Sequence, residues 1–386
     1  MIKRFLSAVL LICAYSVISQ AQRLTVNSAL NVAQKNVFRN FIFEQFVWKT
    51  IDDGSLISPR TPQTNQKTEK WGYINKTGKI VIQPQFSSAE PFNEGLALVM
   101  VGYKYGFINK NGDIAIAPRY ERAGSFSQGL ARMMTGGKWG YVDATGKIAI
   151  KPRFDDAASF SEGLALVKEK GRFGYIDKTG VFRVAPQFDS AYSFNEGLAV
   201  IEIAGKHGYI DKTGKIIVKP QFAAAGRFSE GLAAVRSGIK WGYIDKLGKF
   251  LIPPLFDGVS DFNEGLAFTN TFDAKFKYID KTGTVAIDLS DRLVGVITPF
   301  SEGLAAIMLG GLLGGSGKYG YLDKTGKVVI APQFSRSANK FSEGLAAVQT
   351  EKGYGYIDPN GKTVVEPQYV VGCDFHEGLA CVAVTN

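Results

Sequence analysis

The residue type whose spacing could do chemistry in this 386-residue chain is lysine. Lys76, Lys178, Lys212, Lys246, Lys281 and Lys324 each hold the second place of an Asx-Lys-x-Gly turn. Ammonium groups lined up along one rim would attract an acidic glycan or a lipid headgroup. The blander reading is solvated turns that also discourage edge pairing. The formal charge is +10, two less if Lys3 and Arg4 leave with a cleaved leader.

Acids repeat as well. Glu94, Glu162, Glu196, Glu230, Glu264, Glu302, Glu343 and Glu377 occupy one recurring place, with Gln128 among them. A ring of carboxylates could hold cations. One acid in every unit points instead to a cap or local pairing before a strand, because an active site needs an asymmetric cluster.

Other reactive types are scarce. His207 sits where other units carry an aromatic ring, and His376 stands between Phe375 and Glu377. Two separated histidines do not build a zinc site, so neither metal nor cofactor is expected. The chain contains no Gly-x-Ser-x-Gly and no His-Glu-x-x-His. The Gly-rich stretch 309–317 fails as a phosphate loop, with Leu312 where Gly is needed and Tyr319 where Ser or Thr is needed. It reads as an enlarged hairpin tip, where binding variation tends to live. Cys373 and Cys381 could pair in an oxidising compartment; the sequence does not show whether their backbones approach closely enough.

These residues ride on a repeat. The second residue of an aromatic-Gly pair falls at Gly72, Gly106, Gly140, Gly174, Gly208 and Gly242, every 34 residues, then at Lys277, Gly320 and Gly355. The Gly of Glu-Gly-Leu-Ala gives a second count of nine, from Gly95 to Gly378. In the third unit, strands are expected at Gly129–Met134, Trp139–Asp143 and Lys147–Lys151, the last stopped by Pro152. Thr135–Lys138 and Asp143–Gly146 are tight turns, so the unit is an antiparallel meander. The Asp side chain can cap its turn by accepting from backbone two residues on. Phe154 and Phe160 are spaced to point inward from the loop that follows. One meander cannot bury its aromatic rings alone, and stacked units can.

The chain is therefore expected to be all-β, with nine tandem three-stranded meanders of about 34 residues. The array begins on a second strand at Trp71 and ends on a first strand at 378–384. Pairing of those ends would close a propeller-like toroid; an open superhelical β-array fits the same sequence.

The pattern resembles the WG-repeat, or KWG-repeat, family of bacterial proteins. The resemblance rests on Lys138-Trp139-Gly140-Tyr141, Lys240-Trp241-Gly242-Tyr243, the Asp-Lys-Thr-Gly turns and the Phe-Ser-Glu-Gly-Leu-Ala segments at Phe228 and Phe341. It covers residues 71–386. It implies an all-β repeat, usually in envelope or exported proteins, and carries no catalytic residues. Tyr105, Phe173, His207, Phe276, Tyr319 and Tyr354 replace the Trp, and Lys277 replaces one Gly.

Residues 1–21 read as a signal peptide, with a basic start, an apolar run and Ser19-Gln20-Ala21 at its end. Cys13 follows the bulky Ile12, which disfavours a lipoprotein site. Residues 22–51 carry a partial helical stripe and are expected to cap the end of the array; the alternative is docking to a partner or membrane surface. Residues 52–69 form a polar linker ahead of a repeat domain at 70–386. No transmembrane segment is expected after leader cleavage.

The expected function is a non-enzymatic, exported binding module of the cell envelope, periplasmic, cell-surface or secreted. Its partner would be an envelope protein or an acidic glycan and not nucleic acid, and the sequence leaves the oligomeric state open. A purely structural spacer or assembly scaffold is the alternative, and an enzyme the least favoured.

Overall fold

The computed structural model describes residues 69–385, apart from 272–274, 293 and 311–316. Among the described residues every regular element is a β-strand, β1 to β36. The strands form nine four-stranded antiparallel sheets, the blades of a β-propeller. One blade consists of β7 (Arg122–Ala123), β8 (Leu130–Thr135), β9 (Lys138–Asp143) and β10 (Ile148–Phe154), hydrogen-bonded in that order.

The three expected strands are present in each unit, and a fourth is added. The loop after the proline supplies it, as the short β7 here or β11 (Asp156–Ala157) in the next blade. Its backbone pairs with the strand that follows it, Asp156 opposite Lys168 and Ala157 opposite Val167. Buried amides need partners, so a loop held against a sheet edge joins the ladder.

The third expected strand also runs past its proline. β10 continues to Phe154, which lies opposite Trp139, and a register shift falls between Ile150 and Phe154. Pro152 sits inside that bulge, where no ladder donor is needed. The bulge explains the Gly after the aromatic residue. A Cβ on Gly140 would lie 2.5 Å from the Ile150 carbonyl oxygen and 2.6 Å from the Pro152 nitrogen. Lys277 departs from the pattern because its partner strand departs too. β26 (Val285–Asp288) has no proline, and Lys277 pairs directly with Asp288, so no proline bulge lies opposite it.

The chain ends close the ring. β1 (Glu69–Asn75) pairs with β36 (Leu379–Thr385) over seven residues, from Glu69 opposite Thr385 to Asn75 opposite Leu379. With β2 (Ile80–Phe86) and β35 (Val371–Gly372) they complete one blade in the order β2-β1-β36-β35. The ring is therefore closed rather than an open array. The expected leader, the helical cap at 22–51 and most of the linker lie outside the described residues.

The core lies between neighbouring blades. Tyr141 and Phe160 are buried with ring centroids 4.9 Å apart, against Val167 and Ile176 of the next sheet. The Tyr141 hydroxyl donates to the Ala158 carbonyl at 2.7 Å. The same bond recurs seventeen residues on from Tyr73, Tyr175, Tyr209, Tyr243 and Tyr356. Burial pushes these hydroxyls far above the ordinary tyrosine range, so they act as neutral donors. Phe107 fills the slot without a hydroxyl.

Candidate functional site: the glutamate and lysine rim

In an antiparallel blade the turn before the second strand and the turn before the fourth emerge at the same end. The repeated glutamates occupy the first turn and the repeated lysines the second, so both rings share one rim. Glu162 and Gly163 form a two-residue turn with φ of 53° and 90°. Positive φ at both places defines a type I′ hairpin, unusual for a glutamate. Every glutamate of the series has a φ between 51° and 55°.

The turn directs each carboxylate toward the next blade. Glu162 accepts from the Gly197 amide at 2.9 Å and from Lys212 Nζ at 3.0 Å. Both donors belong to the following blade, on either side of β16 (Leu198–Ile203) and β17 (Lys206–Asp211). The expectation of a local cap is corrected: the glutamates are clamps between blades. The clamp repeats at Glu196 with Gly231 and Lys246, Glu230 with Gly265 and Lys281, and Glu264 with Gly303 and Lys324. It continues around the closure, where Glu343 takes Gly378 and Lys76, and Glu377 takes Gly95 and Lys110. Lys110 is missing from the six rim lysines expected from the sequence, although its turn, Asn109-Lys110-Asn111-Gly112, fits the same Asx-Lys-x-Gly pattern.

Three positions break the circuit. Glu94 holds the Gly129 amide, but Ala144 stands where its lysine would be. Glu302 holds the Gly344 amide and finds Pro359 in the lysine place. Gln128 holds the Gly163 amide and leaves Lys178 without an acid, and no ion pair to Lys178 exists among the described residues.

Electrostatics follow from this geometry. Partial burial works against the charged form of Glu162, Glu264, Glu343 and Glu377. The lysine and backbone donors outweigh it and hold all four below the ordinary glutamate range. The paired lysines keep 44–47% of their side chains exposed. Each lysine turn is also capped by its first residue, an Asp or, at Asn75 and Asn109, an Asn. Asp143 Oδ1 accepts from the Thr145 amide at 2.9 Å, the Thr145 hydroxyl at 2.7 Å and the Lys147 amide at 3.1 Å.

A second polar ring lies where neighbouring blades meet, along or just after their first strands. Ser125 Oγ donates to Glu90 Oε2 at 2.7 Å, Arg227 Nε to Asp261 Oδ2 at 3.3 Å, and Asn339 Nδ2 to Asp374 Oδ1 at 2.9 Å. Burial raises the Glu90 and Asp261 carboxyls above their ordinary range. Equivalent places hold Gly124, Ala158, Tyr192 and Thr298, so this ring varies from blade to blade. A single-unit reading misses it, because only the register between blades brings these residues together.

His207 packs in its aromatic slot opposite Phe222, with Nε2 3.8 Å from Glu202. His376 is exposed in its turn. Cys373 and Cys381 are joined by a disulfide with Cα atoms 5.3 Å apart, within the blade that closes the ring. Of the 309–317 insertion, 311–316 lie outside the described residues. Among the described residues no group of three or more His, Cys, Asp or Glu is arranged to hold a metal, and no helix is long and apolar enough to cross a membrane.

Fold and rim together define a nine-bladed propeller made of one repeating unit and closed by its own ends. The chain belongs to the WG containing repeat family, which matches nine consecutive segments from 71–105 to 354–386. A crystal structure described as that of the eukaryotic initiation factor aligns with TM-score 0.54 at 11% identity, over 77% of this chain and 95% of that one. At that identity the likeness shows the fold alone. PorZ, a surface component of the type-IX secretion system of Porphyromonas gingivalis, aligns with TM-score 0.30 at 13% identity, over 74% of this chain and 46% of that one. A comparison with curated protein sequences finds no significant match.

Proposed function

We propose that this protein is a non-enzymatic binding module of the cell envelope, exported and holding a protein or glycan partner on its propeller surface. The observation that carries the reading is a division of labour among repeat positions. The invariant chemistry is consumed by the frame: tyrosine hydroxyls bond carbonyls, glutamates clamp the next blade, and glycines admit the proline bulge. What remains free to differ is polar and half-exposed, as in the ring of Glu90, Ser125, Arg227, Asp261, Asn339 and Asp374. A rigid frame that presents varied side chains suits recognition. The disulfide in the closing blade fits an oxidising compartment, periplasmic, cell-surface or secreted. Closure of the ring weighs against an extended spacer, since the two ends of the array meet.

The test is capture of envelope proteins and binding to a glycan array by the purified protein, at low and high salt. Capture of one protein, or retention of one glycan, supports the reading. Absence of both sinks it.

A further inference from the structure

All the rim lysines but Lys178 are paired, and further positive charge lies away from the rim. It emerges on the exposed edge formed by the fourth strands of three consecutive blades: β10, β14 (Phe182–Phe188) and β18 (Ile216–Phe222). Lys147 just before the first and Lys151 on it, with Lys215 just before the third and Lys219 on it, are exposed and have no ion-pair partner among the described residues. Between them stand aliphatic side chains open to solvent: Ile148 at 50%, Val181 at 55% and Ile216 at 44%.

The acids nearby are already engaged. Asp143 and Asp211 cap their own turns, though they also feel Lys147 and Lys215 electrostatically. Asp177 holds Arg183, Asp155 holds Lys138 and Asp189 holds Arg172. Asp156 accepts from the Ala157 amide. No acid lies on the three strands themselves. The basic character is densest on this arc: only β10 and β18 carry a lysine before their proline, Lys151 and Lys219, where other blades have Gln83, Ala117, Pro253 or Ala331, and β34 (Thr363–Tyr369) has Glu366.

We propose that this arc docks on an anionic lipid surface. Lysines interleaved with half-exposed aliphatic groups match headgroup phosphates above an apolar layer. An added peptide strand fits less well, since Pro152, Pro186 and Pro220 interrupt each edge and the lysines blunt it. A wholly polar glycan would leave the aliphatic groups unused. The inference goes beyond the binding-module reading by adding a lipid contact on one surface.

The experiment is vesicle co-sedimentation of the full chain, with phosphatidylcholine alone or with about one quarter phosphatidylglycerol, at roughly 50 and 300 mM salt. The expected result is at least about tenfold tighter binding to the anionic vesicles at low salt, largely lost at high salt. Changing Lys147, Lys151, Lys215 and Lys219 together to Gln removes that preference. Changing Lys79, Lys249, Lys327 and Lys362 to Gln, on other blades, leaves it within about twofold. Ile148→Ser with Ile216→Ser lowers affinity severalfold. Circular dichroism melts confirm that every variant is folded. Equal binding by the parent and the first quadruple variant overturns the proposal, as does equal binding to both vesicle types. Residues 1–68 are common to all variants and cancel. If vesicle binding fails while a soluble partner is still captured, this inference falls and the binding-module reading stands.

Discussion

Lys110 Nζ lies 3.1 Å from Glu377 Oε2, although 267 positions separate them in the chain. Glu377 also receives the Gly95 amide at 3.1 Å. With Glu343 and Lys76, these contacts carry the inter-blade clamp across the junction of the two ends of the array. The closing blade is thus held by a seven-residue ladder, two clamps and a disulfide.

The clamp separates into a backbone part and a carboxylate part. Glu162→Ala and Glu162→Gly remove the same carboxylate, but Ala keeps the left-handed backbone. The Gly variant should be the more stable of the two by about 1 kcal/mol in urea denaturation. The Ala variant should fall below the parent by about 1 kcal/mol or less, since the carboxylate is partly solvated, and the Gly variant should lie level with the parent or above it. Equal stability of the two variants would show that the φ of 53° carries no cost.

Gly140 and Lys277 occupy one repeat position with opposite constraints. Gly140→Ala drives a Cβ into the backbone of the proline bulge and should cost about 3 kcal/mol or more. Lys277→Ala meets no bulge and should leave the unfolding midpoint nearly unchanged. A mild effect at Gly140 would mean that the bulge yields.

Acid should weaken the ring. Glu162, Glu264, Glu343, Glu377 and Asp177, the last pulled down to about 2, have folded pKa values below their unfolded ones. Their stabilisation is present above the unfolded values and is lost as pH falls through the folded ones, from about pH 4.5 toward 2. The melting temperature should drop through that window. Glu90 and Asp261 have raised values, so their contribution is present at low pH and lost as pH rises through the folded values. Glu90→Gln should therefore raise the melting temperature at pH 7 and have less effect at pH 4. The opposite order would contradict the burial of that carboxylate.

Tyr141→Phe deletes one buried hydroxyl bond to Ala158 and should cost about 1–2 kcal/mol. A neutral result would show that the Ala158 carbonyl finds another donor.

Reduction of the Cys373–Cys381 disulfide, whose partners have a sequence separation of 8, should cost about 2 kcal/mol and lower the melting temperature. The double Cys→Ser variant should lose that sensitivity. An unchanged melt on reduction would place the stability of the closing blade in the ladder and the clamps.

The sequence by itself determined the period, the count of nine units, the antiparallel meander, the capped Asp turns and the aromatic core. Each is local or repeats in register: Asp143 reaches only to Lys147, and Phe160 meets Tyr141 within one unit. The family was legible for the same reason. Tertiary structure alone decided whether Glu69 would meet Thr385, because closure depends on the small rotation between blades summed over the whole ring. It alone turned the proline loop into a fourth strand, since that loop finds its partners only when laid against the next strand. It also gave the lysines their partners. Glu162 and Lys212 look like unrelated turn residues fifty positions apart, until a type I′ turn and the next blade bring their charges within 3.0 Å.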